Sequence, residues 1–301
     1  MDRGSYNQLQ MCGRYRLSRR AEILASYFYA ESEGMDWEAR YNIAPTQTVP
    51  VIRQDAREPV RRASLMRWGL VPNWAKDLTA GASMINARSE TAGEKPAFRE
   101  LLQRRRCLIP ADGFYEWQKS GKSKQPYCFE MKEKEPFVFA GLWDSWRAPD
   151  GTALETCTIL TTTPNQLLAD VHDRMPVILP AASYGLWLDP GFRDLSATNE
   201  MLKPYDAGQM RRFLILASHL LLRIAETRLR SKHQTSREDN TETMRGGLRK
   251  RACSDLSTLL LLVHHTADAG DEEGGEQPAQ QNLYPQEPGD EAWRGREAAQ
   301  E

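Results

Sequence analysis

Between residues 49 and 162, five short runs rich in β-branched, aromatic and apolar residues are cut apart by glycine, proline and charged turns, and no other feature restricts the fold as strongly. The runs cover residues 49–53, 107–110, 127–131, 137–142 and 156–162. Lys119-Ser120-Gly121-Lys122 lies between two of them and predicts a hairpin loop. Helical spacing occurs at residues 19–29 with Ser18 as N-cap, at 95–105, at 165–171 behind Thr163-Pro164, and at 181–188. Strand–helix–strand repeats are too few for a doubly wound sheet. The pattern predicts an α+β fold, a curved antiparallel sheet or β-barrel-like sheet with peripheral helices.

Composition divides the chain. Seven of the eight tryptophans and all eight phenylalanines fall between residues 11 and 213. Residues 213–230 carry a helix-like apolar pattern, and the remainder is rich in Arg, Glu, Gln and Gly. The expected organisation is therefore an N-terminal extension over residues 1–10, a folded domain over 11–212, and an atypical, largely disordered tail over 213–301. Lysine and arginine (40) nearly cancel aspartate and glutamate (41), so a polyanion site has to come from local arginines. Five irregularly spaced cysteines without a CxxC pair suit reduced thiols rather than a disulfide framework. With one histidine before His219, no metal site or cofactor is expected. No run reaches the ~20 apolar residues of a membrane span, and residues 1–10 lack the apolar core of a signal peptide.

Four polar groups and one thiol are candidates for chemistry. Cys12 follows Met11, and loss of everything before it would put an α-amine and a thiol on one residue. Such a 1,2-aminothiol condenses with an aldehyde to an imine, which the thiolate closes to a thiazolidine. An α-amine titrates at about 8 and a thiol at about 8.5, which suits this near neutrality. Glu116, in Gly113-Phe114-Tyr115-Glu116-Trp117, is a carboxylate among aromatics, either a paired or raised-pKa acid–base group or a surface residue of an alternating strand. His172 sits between a short helix and an apolar strand beside Asp173 and Arg174, and reads as structural or as an acid–base group. Asn86 and Asn42 suit either a site or a turn.

The ordered motifs MCGRY, RYNIAPTQ, WGLVPNWAKD, INARSET, PADGFYEW, LTTTPN and VHDRMPVIL resemble the SOS-response-associated peptidase (SRAP) family of abasic-site processing proteins, over about residues 11–210. The resemblance implies that family's α+β, barrel-like domain and a DNA-damage role on single-stranded DNA containing abasic sites. It places the crosslinking nucleophile at Cys12, the abasic-site-sensing group at Asn86, the catalytic carboxylate at Glu116 and the crosslink-stabilising imidazole at His172. Arg14 and Arg88 match phosphate-contacting arginines, Trp68 and Trp74 lie in the Trp-bearing loop beside DNA, and Asn42 and Thr161 fall on the DNA-binding side. It further implies a monomer, cytoplasmic and nucleoid-associated in a bacterium or nuclear in a eukaryote. β-Elimination from the imine would make the same site a lyase.

Two departures accompany the resemblance. Cys12 is not the second residue, so either Met11 is the true initiator or residues 1–11 are removed, by the autopeptidase that the family name suggests. The strand that usually closes the domain after Leu202-Lys203-Pro204-Tyr205 is not recognisable beyond Arg212, as a frameshift or read-through would leave it. The core is then expected to lack an edge strand. Two readings from other classes remain: a thiol peptidase acting in trans through Cys12, His172 and Glu116, and a non-covalent reader of modified DNA.

Overall fold

The computed structural model describes residues 13–215, apart from residues 33–34, 56, 59 and 122. Its first half contains β1 (Tyr15–Leu17), α1 (Ala21–Tyr27), β2 (Ala30–Glu31), β3 (Arg40–Ile43), β4 (Thr48–Gln54), β5 (Arg61–Trp68), α2 (Ala80–Ser83), β6 (Asn86–Arg88), α3 (Ser89–Ala92) and α4 (Pro96–Arg104). The second half contains β7 (Arg106–Ala111), β8 (Gly113–Ser120), β9 (Ser123–Met131), β10 (Phe137–Arg147), β11 (Ala153–Thr162), β12 (Met175–Pro176), β13 (Ile178–Leu179), α5 (Tyr184–Leu188), α6 (Leu195–Met201) and β14 (Met210–Leu214). This is the expected α+β architecture.

Strands β5, β4, β7, β10 and β11 form a closed barrel. Four of its seams are antiparallel, and the closing seam, Thr156 opposite Arg67 and Cys157 opposite Trp68, is parallel. A second sheet, in the order β14-β9-β8-β1-β3, packs on the barrel through aromatic side chains. Tyr15 meets Trp68 and Phe139 edge-on at centroid distances of 5.3 and 5.6 Å, and Phe114 meets Phe139 edge-on at 6.1 Å. Such pairs contribute about 0.5–1.5 kcal/mol each beyond their burial. The β8–β9 hairpin turns through Gly121 at φ +58°, inside the stretch expected to form its loop.

A buried ionic cluster ties the second sheet to the end of β7. Arg16 on β1 donates through Nε to Asp112 (3.0 Å) and through its terminal nitrogen to Glu130 on β9, and Glu130 also accepts from Arg211 on β14. Asp112 accepts the Ser18 backbone N–H at 2.6 Å. Ser18 therefore does not cap α1: Arg20 takes the N-cap position, and the serine is held by a carboxylate distant in sequence.

Two further expectations change. Residues 165–171 form successive turns, not a helix: Asn165 caps Leu167 (3.1 Å) and Leu168 (3.2 Å) with its side chain, but the backbone bonds that follow mix three- and four-residue spacing and join only at Asn165 O and Leu168 O. The edge expected to be bare carries β14, with Met210 opposite Met131 through to Leu214 opposite Tyr127, and Ile215 N–H donates to Pro126 O at 3.0 Å. Phe213 and Leu214, assigned above to a helix-like segment, thus lie in a strand. The expected extension over residues 1–10 and the tail from 216 onward fall outside the described residues.

Arg106 holds the helical side of the barrel. It is buried, and each of its donor groups is used: Nε on Trp187 O (2.6 Å), one terminal nitrogen on Leu102 O (2.8 Å) and Gln103 O (2.9 Å), the other on Asp189 O (2.5 Å) and Phe192 O (2.9 Å). One guanidinium thus satisfies terminal carbonyls of both α4 and α5. Arg106→Leu should lower the unfolding free energy in urea by about 3 kcal/mol or more, since it leaves buried carbonyls without donors. Arg106→Lys, with fewer donors, should fall between. A loss within ~0.5 kcal/mol for Arg106→Leu, the range of an ordinary surface change, would show that the carbonyls find other partners.

Candidate functional site

The first wall of the site comes from β1, β3 and β8. Arg14 precedes β1, and its carbonyl accepts the Tyr115 N–H at 3.0 Å, so residue 14 lies beside the middle of β8. Glu116 is the next residue of β8 and is 3% exposed. It is not a surface residue of an alternating strand: the consecutive residues Phe114, Tyr115 and Glu116 are all buried, so both faces of β8 are covered here. The Tyr115 hydroxyl donates to Tyr41 O at 2.7 Å and fixes β3 beside them. Asn42 is buried on β3, and its Oδ1 accepts from Arg14 at 3.0 Å. In this structure Asn42 orients Arg14.

The second wall comes from β6 and β11. The three residues of β6 run parallel to β11, with Asn86 opposite Ile159 and Arg88 opposite Thr161. Asn86 and Arg88 share one face, and Ala87 points the other way into the core. Arg88 is exposed. Thr161 is fully buried, its hydroxyl near Ala87 O and Arg174, so it supports β6 and does not reach solvent. Trp68 is likewise corrected: at 0% exposure, with Nε1 donating to Ile85 O at 2.9 Å, it has no free face for a base. Its contact with Tyr15 joins the two walls.

Trp74 is 65% exposed. The chain leaves β5 through Gly69 at φ +126°, where a Cβ would lie 2.6 Å from Gly81 O, so only glycine permits the turn. The loop that follows is pinned by Asn73 N–H on Asp144 (2.9 Å) and by Trp146 Nε1 on Ala75 O (2.8 Å). Trp74 thus stands out from an anchored loop with its ring exposed.

His172 ends the third segment. Gln118 on β8 donates to Asp170 O at 2.9 Å and brings the turns before His172 to the Glu116 strand. Nδ1 of His172 accepts the Arg174 backbone N–H at 3.1 Å. The exposed Asp173 carboxylate lies 3.0 Å from the same nitrogen and offers only an acceptor. A backbone N–H always donates, so with this bond made Nδ1 is the acceptor and the ring hydrogen is assigned to Nε2. Arg174 makes a bidentate pair with Glu90 (2.6 and 2.7 Å) and donates to Thr161 O at 2.7 Å. Neither Glu90 nor Arg174 was singled out in the sequence. Both lie inside the quoted motifs INARSET and VHDRMPVIL, but nothing local shows that they meet.

With this geometry in place, the family can be assigned. The SOS response associated peptidase (SRAP) family matches residues 11–216. The chain belongs to the SRAP family. It is 43% identical over 209 residues to abasic site processing protein YoqW of Bacillus subtilis, covering 68% of this chain and 92% of that one. It is 32% identical to abasic site processing protein HMCES of Xenopus tropicalis, over 54% of this chain and 57% of the relative. A crystal structure of a Bacteroides thetaiotaomicron protein superposes with a TM-score of 0.64 at 28% identity, over 69% of this chain and 94% of that chain. One from Bordetella bronchiseptica gives 0.60 at 30% identity, over 68% and 100%.

Among the described residues of this SRAP chain, no group of three His, Cys, Asp or Glu side chains could hold a metal ion, and no helix is long and apolar enough to cross a membrane. Cys107, Cys128 and Cys157 are all buried. Burial raises each thiol, that of Cys128 up to about 12, which removes the thiolate that nucleophilic attack needs. Cys12 lies outside the described residues. In the folded protein at pH 8, these three thiols should stay unlabelled by maleimide until denaturant is added. Prompt labelling of any of them would show a more open core.

The hydrogen-bonded Arg174 holds the Glu90 carboxyl below its ordinary value of 4.5. A depressed folded value means that the pair adds stability above that ordinary value and loses it as pH falls through the lower one. Carboxyl NMR should show Glu90 titrating below 4.5 in the wild type and close to it in Arg174→Gln. An equal midpoint in both would mean that the pair is not held in solution.

Proposed function

We propose that this protein processes abasic sites in single-stranded DNA by joining Cys12 covalently to the ring-opened sugar. The observation that carries this reading is the buried carboxylate of Glu116 beside the chain entering β1. Two residues of chain span at most ~7 Å, so a nucleophile at Cys12 acts within that reach of Arg14. The names of the relatives YoqW and HMCES supply the lesion. The burial of Cys107, Cys128 and Cys157, the cysteines among the described residues, supports Cys12 over them as the reactive one.

The chemistry follows from the residue types. An abasic deoxyribose is mostly a closed hemiacetal, and His172 Nε2–H suits proton donation to the ring oxygen as it opens. Glu116 accepts a proton from the Cys12 α-amine, which attacks C1′ of the aldehyde. Loss of water gives the imine, and the thiol adds across the C=N bond to close the thiazolidine. Asn86 holds the reacting groups in attack geometry. Arg14 and Arg88 take flanking phosphates, and Trp74 stacks on an unpaired base, a contact worth about 1–3 kcal/mol. A stacked duplex buries the lesion, hence the preference for single strands. The scheme requires a free Cys12 amine, so residues 1–11 must be absent from the active form.

Protein beginning at Cys12 should form an SDS-resistant adduct with abasic single-stranded DNA and none with intact DNA. Cys12→Ala should give at most an imine that needs borohydride to persist, and Glu116→Gln should slow the adduct by about 10²–10⁴, the usual contribution of a positioned acid–base group. Protein retaining its leader should be inert. A Cys12→Ala adduct as stable as the wild type would overturn the aminothiol scheme. Crosslinking that survives acetylation of the N-terminus would replace it with thiol-only chemistry, and binding lost in SDS would leave a non-covalent reader. Arg88→Ala should lower the salt slope of log K by about 0.7, one phosphate contact on a single strand. An unchanged slope would remove Arg88 from the phosphate contacts.

A further inference from the structure

We propose that Glu90 is a positioning residue for the reaction, acting through Arg174 to hold the His172 imidazole in register with Arg88. The inference rests on the covalent reading above and adds to it a part that touches neither DNA nor the reacting atoms.

The geometry is a closed loop of contacts. Arg88 is the N-cap of α3, and Glu90 stands two residues later in the first turn of that helix. Both carboxylate oxygens of Glu90 accept from Arg174, at 2.6 and 2.7 Å. Arg174 also donates to Thr161 O at 2.7 Å, and Thr161 is the β11 residue opposite Arg88. From the same residue the backbone N–H reaches His172 Nδ1 at 3.1 Å. The loop therefore runs from Arg88 through Glu90 and Arg174 to Thr161 and back to Arg88, and His172 is attached to it through the Arg174 backbone N–H.

A bidentate carboxylate–guanidinium pair fixes both position and rotation, which a single hydrogen bond does not. The Arg174 side chain is 10% exposed, with two nitrogens hydrogen-bonded to Glu90 and Thr161. Fixing the Arg174 backbone aims one N–H at Nδ1 and so selects the tautomer that carries its proton on Nε2. The segment from residue 165 to 174 has no helix or strand of its own to hold it. The pair with Glu90 is the bidentate contact that ties its end to the element bearing Arg88.

The test compares wild type with Glu90→Gln, a change at a half-exposed position that keeps the shape and removes the charge. Protein beginning at Cys12 is used for three measurements. The first is affinity for single-stranded DNA carrying a tetrahydrofuran abasic analogue, which has no aldehyde. The second is the crosslinking rate at saturating natural abasic DNA. The third is the imidazole ¹⁵N spectrum of His172 without DNA. Unchanged affinity, a crosslinking rate about ten- to a hundredfold lower, as expected for a small misplacement of a reacting group, and a shift of His172 away from the Nε2–H tautomer are expected. The double variant Glu90→Gln, Arg174→Gln should be no slower than Arg174→Gln alone, because the two act through one contact. A Glu90→Gln rate equal to wild type overturns the proposal, as does a loss explained wholly by weaker binding. If wild type itself forms no SDS-resistant adduct, the covalent reading fails, and the His172 spectrum still decides the positioning role: identical spectra in wild type and Glu90→Gln overturn it.

Discussion

The register of β11 governs everything else in this domain. Its residues 156–162 are all buried, and four other strands take their alignment from it: β10 along its length, β5 at Thr156 and Cys157, β6 from Ile159 to Thr161, and β12 at Thr161 and Thr162. Because side chains alternate along a strand, a slip of one residue between β6 and β11 would turn Asn86 and Arg88 into the core and Ala87 out to the surface. The same slip would open the barrel seam at Trp68. Closure of the barrel and placement of two candidate site residues are therefore one constraint.

This explains which parts of the chain were legible. The runs that became β4, β7, β9, β10 and β11 are long enough, and apolar enough, for their composition to show. β6 is three residues long, and nothing in Asn86-Ala87-Arg88 favours a strand; it exists because β11 offers an open edge. Ser18 fits an N-cap by its type, yet Asp112, 94 residues away, claims it first. Trp68 and Trp74 illustrate a missed signal. Trp68 ends a strand in which Met66 is also buried and Arg67 is not, an alternation that points Trp68 inward. Trp74 follows Pro72 in a loop. Family resemblance assigns both tryptophans to one segment, and only the alternation separates the buried ring from the exposed one. Thr161 fails for a related reason: in a run covered on both faces, polarity gives no clue to direction.

The arginines carry a second lesson. A nearly neutral chain was expected to bind DNA through local arginines, but most of those described are already engaged. Arg16 and Arg211 serve Glu130, Arg106 serves helix carbonyls, Arg174 serves Glu90, and Arg105 serves Asp144. Glu130 and Asp144 are buried carboxylates, so removing their arginines would strand a buried charge, whatever net stability the pairs add. Arg88 differs in being exposed on a short strand whose face is fixed by β11, and Arg14 in being oriented by a neutral asparagine. The charge available for a phosphate is thus a small, placed fraction of the total.

The two walls belong to different layers, and this sets what the site tolerates. Glu116 and Arg14 ride on the second sheet, whereas Asn86, Arg88 and the loop of His172 ride on the barrel. The layers meet through Tyr15 against Trp68 and Phe139, and through Phe114 against Phe139. An interface of interlocked rings resists shear because packed aromatic cores have no room to slide. The reaction proposed above, which brings an amine, an aldehyde carbon and a proton donor together, would need that stiffness across layers, since a displacement of about 1 Å costs on the order of a hundredfold in rate. In that scheme Tyr15, Trp68, Phe114 and Phe139 would act on the chemistry without approaching the substrate, by holding the two layers in register.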